Sequence, residues 1–161
     1  MRKATETVPA RVLKVKSPLA AAGAQDTVLT FSDDVPTAVA AASLLGCDVA
    51  AIANSLVFEL DGAPLLILAS GAAKVDTALV AASLGSARIR RASPDFVLEH
   101  TGQAVGGVAP VGHPQPIRTI LDVSLQAHPL LWAGAGDHNS MFSISYSELQ
   151  RITSAQPLKV R

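Results

Sequence analysis

The sequence predicts an α+β fold: a single compact domain on a mixed, strongly curved β-sheet flanked by helices. Three observations lead there. The chain has 161 residues, 49% of them hydrophobic, which suits one domain with a sizeable core. Two nearly continuous apolar runs, Ser55 to Leu60 and Pro64 to Ala69, flank Asp61-Gly62 and read as a central β-hairpin. The remaining strand-like and helix-like segments mix without a regular βαβ rhythm.

The elements follow in order. Met1 to Thr7 reads as a frayed tail. Arg11 to Ala22 has helical composition, with Val12, Val15 and Leu19 spaced for one face, and Pro18 is expected to kink or restart it. Thr27 to Phe31 alternates as a short strand. Asp33-Asp34-Val35-Pro36 then opens a helix to Leu45, with a carboxylate near the cap and proline in the first turn. Asp48 caps a second short helix through Ala53. Beyond the hairpin, Asp76 caps a helix to Leu84, and Arg88 to Arg91 forms a short, partly exposed strand. Ser93-Pro94-Asp95 is a strong helix start leading to His100. Arg118 to Val123, Leu130 to Ala133 and Met141 to Ile144 are strands. Ser145 and Glu148 make a capping-box pattern for a last helix through Ile152, and the tail from Ser154 is expected to be loose.

Composition narrows the function. Lys+Arg and Asp+Glu both count 13, which argues against a charge-driven grip on nucleic acid. The single cysteine, Cys47, forms no internal disulfide and fits a reducing, cytoplasmic setting. The apolar run from Ala38 is cut by Asp48, so no membrane span is expected.

The usual catalytic signatures are missing. There is no Gly-x-Ser-x-Gly elbow, no His-Glu-x-x-His and no second cysteine for a zinc knuckle. His100, His113, His128 and His138 lack metal-ligand spacing, so no metal and no cofactor is expected. What stands out is Thr101 to His113, which holds four glycines, and a second glycine loop from Gly134 to Asn139. Glycines let a ligand approach main-chain N–H groups, which can hold a carbonyl oxygen or a developing oxyanion. The polar pair Asn54-Ser55 at the hairpin start and His138 complete the candidates. Ser55 also reads as an ordinary strand hydroxyl, His138 as a solvated loop residue and Cys47 as a small buried hydrophobe; Arg88, Arg90 and Arg91 could touch phosphate, but a charge run on a solvated strand is the commoner case.

Several segments together resemble the YbaK/EbsC family of free-standing aminoacyl-tRNA deacylases, related to the editing insertion of bacterial prolyl-tRNA synthetase. They are Gly46-Cys47, Ile52 to Phe58, Ser70-Gly71 with Val75-Asp76, Thr101 to His113, Trp132 to Gly136, and Glu148-Leu149. The likeness covers roughly Val28 to Thr153, the expected core of one domain over residues 1–161. It implies hydrolysis of the ester joining a wrong amino acid to the 3′ end of tRNA, in trans, with aminoacyl-tRNA and a possible aminoacyl-tRNA synthetase as partners. It places Asn54, Gly106 and Gly107 at the reacting centre. Ser55, Gly102, Val108, Pro110, Gly134, Ala135, Gly136 and His138 are placed along the substrate, with Gly106 to Pro110 matching the family's Gly-x-x-x-Pro loop.

One departure stands out. The family generally has lysine where this chain has Asn54, which donates hydrogen bonds but carries no charge. Arg118 is a candidate to supply that charge. The alternative readings are a binding module of the same fold with weak or no catalysis, and a hydrolase of small acyl esters.

Overall fold

The computed structural model describes residues 9–161 apart from Ala73 and Ala87, so the reading of Met1 to Thr7 lies outside the described residues. Helix α1 (Ala10–Ala21) leads into strand β1 (Leu29–Thr30) and helix α2 (Ala38–Leu45). A 3-10 turn at Val49–Ala51 opens onto the hairpin of β2 (Ile52–Leu60) and β3 (Ala63–Ser70). Helix α3 (Thr77–Ser83), β4 (Ile89–Arg91), α4 (Pro94–Thr101) and β5 (Arg118–Asp122) follow. A second 3-10 turn, β6 (Leu131–Gly134), β7 (Ser140–Ile144), α5 (Tyr146–Thr153) and β8 (Gln156–Leu158) complete the chain.

The strands form one mixed sheet in the order β1-β7-β6-β2-β3-β5-β8, with β4 also on β2. The hairpin sits at its centre. Its turn residues both have positive φ, 51° at Asp61 and 86° at Gly62, the twist that a two-residue hairpin turn needs. β3 explains its own composition. Leu65 and Ile67 pack with Val80 of α3, whereas Leu66 and Leu68 pack with Val15 of α1, Val97 of α4 and Leu149 of α5. Leu65 to Leu68 are all fully buried, so this stretch of the strand is apolar at every position instead of alternating. A third cluster joins Ala41 and Ala42 of α2 to Phe31, Ile52 and Met141.

Several expectations are corrected. α1 runs unbroken through Pro18. α2 starts later than expected, with Thr37 and not an aspartate as its cap, its side chain accepting from Ala40 N–H at 3.1 Å. Val35 N–H is bonded to His138 O at 2.7 Å, which holds residues 33–36 to another loop. Asp48 caps only the 3-10 turn, because Ile52 and Ala53 already belong to β2. Asn54 and Ser55 therefore lie inside a strand, and Gly134 ends β6 instead of opening a loop. β1 shrinks to two residues because the Thr27 hydroxyl replaces a backbone rung, bonding Ser143 O and N. The last helix has half a capping box: Ser145 accepts from Glu148 N–H, but the Glu148 carboxylate holds Arg151. The tail is not loose. β8 runs parallel to β5, and Val160 is buried beside Ile120. α1 and β8 thus belong to the core and the sheet although they fall outside residues 28–153.

Burial of β3 on both faces makes a testable claim. Ile67→Ala and Leu68→Ala point to opposite sides, and each is expected to lower the free energy of urea unfolding by about 2–5 kcal/mol. A near-neutral result for either one would show that its face is not a core.

Candidate functional site

Strand β2 pairs with β3 along its whole length. On its other edge it pairs with β6 only at Ile52 and Ala53, and with β4 only from Phe58 to Leu60. Among the described residues, no strand faces residues 54–57 on that side. Alternation along the strand decides which groups point there. Ile52 O accepts from Gly71 N–H at 2.8 Å on the β3 side, so even-numbered residues bond β3. Val57 O accepts from Ala92 N–H at 3.4 Å on the opposite side. The N–H and C=O of Ser55 therefore point into the opening.

A cavity of about 330 Å³ occupies this gap. Its walls include residues 52–58 of β2, the segment leading into α2, the end of β4 and both glycine loops. It brings together Asn54, Ser55, Gly106, Val108, Gly134 and His138 from widely separated parts of the chain. Because side chains alternate across a strand, Asn54 and Ser55 point to opposite faces of β2. Ser55 Oγ is buried without a hydrogen-bond partner among the described residues and lies on the Ala53–Val57 face of the strand. The exposed His138 packs against Gly106, where a Cβ would come within 3.3 Å of its Nδ1.

The other expected residues do not line this surface. Gly102 is the left-handed cap of α4, with φ 70°. Gly107 packs on the backbone of Asp137, and Pro110, Ala135 and Gly136 are buried. At Gly136 a Cβ would lie 2.5 Å from Arg11 O, so α1 seats directly on the second loop. The first loop touches α1 too, at Gly112 beside Lys14 O, the carbonyl that Pro18 has no N–H to bond. Arg118 is exposed on β5, beyond β3, and is not part of the cavity wall.

Three residues that the sequence reading passed over hold the loops in place. Gln103, 3% exposed, accepts from Ala109 N–H at 2.8 Å and donates to Val111 O at 3.2 Å, clamping the first loop from inside. Asn139 donates to Phe31 O at 3.0 Å, and its own carbonyl accepts from Phe31 N–H at 2.7 Å, tying the second loop to the end of β1. Thr101 accepts from Gln103 N–H at 3.0 Å and donates to Val97 O at 2.7 Å. A polar residue immediately after a helix cap was the one available signal for Gln103. A further lining residue, Arg91 of β4, had been read as solvated. His113 Nε2 donates to Ala109 O at 2.9 Å; burial pushes its pKa below the ordinary histidine value, against the weaker upward pull of that bond.

The arrangement offers main-chain donors, a buried hydroxyl and apolar walls in one place. Together with the mixed sheet, it defines a YbaK-like α+β domain built around a backbone-lined pocket. The chain belongs to the aminoacyl-tRNA editing domain family, whose model matches residues 32–152. It is 33% identical to an uncharacterized protein of Bacillus subtilis, YwhH, over 130 residues, 80% of this chain and 82% of that one. A solved structure of a chain provisionally assigned as a trans-editing enzyme for prolyl-tRNA synthetase superposes with a TM-score of 0.91 at 32% identity. That match covers 96% of this chain and 99% of the other. A hypothetical protein, APE2540, superposes at 0.85 with 28% identity, covering 91% and 98%. Among the described residues no helix is long and apolar enough to cross a membrane.

Two outcomes check this geometry. A Cβ at Gly134 would lie 2.9 Å from Val108 O, so Gly134→Ala should force the two loops apart. It is expected to cost about 1–3 kcal/mol in thermal or chemical denaturation. Secondly, His113 stays neutral longer on acidification than an exposed histidine does. Its contribution is complete above about pH 6.5 and is lost as pH falls from there toward its lower folded value. An NMR titration should place its midpoint below 6.5; a midpoint at or above that value contradicts the burial argument.

Proposed function

We propose that the protein is a trans-editing hydrolase that cleaves the ester between a mismatched amino acid and the 3′ ribose of its tRNA. The observation that supports this reading is the open edge of β2, where the Ser55 main-chain groups meet the cavity between two glycine loops. Main-chain N–H groups aimed at a carbonyl oxygen stabilise the oxyanion that forms when water adds to the ester carbon. The C–O bond to ribose then breaks, the ribose oxygen takes a proton, and the free amino acid leaves. His138 is the titratable ring within reach of the cavity for carrying protons between water and the leaving oxygen. Ser55 Oγ, unpartnered among apolar neighbours, gives the acyl pocket one hydrogen-bonding point. In this reading the partner is the acylated 3′ end of tRNA, the reaction takes place in the cytoplasm, and a synthetase supplies mischarged substrate.

A second reading is favoured by one observation. Asn54 is neutral at the position where the resemblance to the YbaK/EbsC family implies a lysine, which suits a module that binds the aminoacyl end without cleaving it.

A panel of mischarged tRNAs incubated with the purified protein separates the two. The hydrolase reading expects at least one aminoacyl-tRNA to lose its amino acid roughly tenfold or more faster than in buffer, the scale on which positioned acid–base groups and oxyanion donors act. No acceleration across the panel, together with binding of an aminoacyl-adenosine amide, assigns the binding module. Asn54→Lys sharpens the result. A rise in rate marks Asn54 as a weakened site, whereas an unchanged or lower rate marks it as a working specificity residue.

A further inference from the structure

We infer that Arg91 is an anion-binding residue that holds the phosphate of the nucleotide carrying the acyl group. The inference rests on the proposed reading of the cavity and adds a subsite to it. β4 ends at the lip of the opening in β2, with Arg91 directly across from Phe58. Paired residues on neighbouring strands project to the same face, so Arg91 shares a face with Phe58, Leu56 and Asn54.

Its neighbour Arg90 stands across from Glu59, an opposite charge. Arg91 faces an aromatic ring, is exposed, and makes no ion pair among the described residues. Among the described residues lining the cavity, only Arg91 carries a permanent positive charge. The lining carboxylate, Asp137, accepts from Asn139 N–H at 3.1 Å in the opposite wall. A guanidinium left unpaired at a cavity mouth is suited to a phosphate, whose oxygens match its planar fork.

The spacing also fits. The opening lies between the last rung with β6 at Ala53 and the first rung with β4 at Phe58. At the usual rise per strand residue this is about 17 Å, room for an acyl group and one nucleoside. The acyl group would sit at the Gly134 end and the phosphate at the Arg91 end.

The experiment compares AMP with adenosine, which lacks the phosphate, by calorimetry on the whole protein, in wild type, Arg91→Ala, Arg91→Lys and Arg118→Ala. Wild type is expected to prefer AMP about tenfold, as for hydrogen bonds to a charged group. Arg91→Ala should reduce that preference to about twofold or less. Arg91→Lys, a point charge without the fork, should keep part of it, and Arg118→Ala all of it. Equal binding of AMP and adenosine by wild type, or an AMP preference that survives Arg91→Ala with melting unchanged, overturns the inference. In the deacylation assay, Arg91→Ala should raise KM about tenfold and leave kcat within about threefold. AMP preference without any turnover would sink the hydrolase reading and leave the phosphate subsite standing; turnover without AMP preference would do the reverse.

Discussion

The rest of the structure depends on an interruption. β2 is fully paired on one edge but is paired only at its two ends on the other. Unpaired backbone groups in a central strand are costly when covered and invite aggregation when bare. Here they are neither zipped to a strand nor left on a flat surface. Two loops and the approach to α2 enclose the gap, turning an exposed edge into a cavity. That arrangement needs rigid flanks. β3 supplies one, since it is buried on both faces and joined to β5 on its far side. At its end, Ser70 N–H donates to the buried Asp122 carboxylate at 3.0 Å, locking two strand termini together. α1 supplies another, because its carbonyls at Arg11 and Lys14 press directly on the glycines of both loops.

How much of this could be read from the sequence depended on the range of the interactions involved. The hairpin was visible because its signals are local: a two-residue turn between apolar runs. Helix α4 was visible for the same reason, since Ser93 caps it at Phe96 N–H and Pro94 opens it. The start of α2 was misread because Val35 is claimed by His138, a hundred residues away, a contact that no local propensity encodes. β8 was missed because three residues containing a proline carry no strand pattern, and the parallel partner β5 decides the matter.

The site divided along the same line. Its glycine loops were recognisable as a composition, and five of the expected residues are not in the cavity wall. Local geometry accounts for two of them: Gly136 is small because α1 crosses it, and Gly102 because the helix ends in a left-handed turn. Gln103 and Asn139 hold the loops through contacts made only after folding. Arg91 was set aside as one of a solvated trio, and only the register of β4 on β2 separates it from Arg90.

A pocket lined by main-chain groups changes what sequence divergence means. Replacing a side chain at such a site leaves the backbone donors where the sheet puts them. This is consistent with a TM-score of 0.91 at only 32% identity to the provisionally assigned trans-editing structure. Side chains are then free to change what enters and how it is held. Asn54 and Ser55 show how this works, since one strand sends them to opposite faces and the cavity meets both at the open edge. On the proposed reading, a positive charge at this cavity need not stand at Asn54 itself. Any element ending at the same lip on the same face can provide one, and β4 is the element whose register brings there Arg91, which has no ion pair among the described residues.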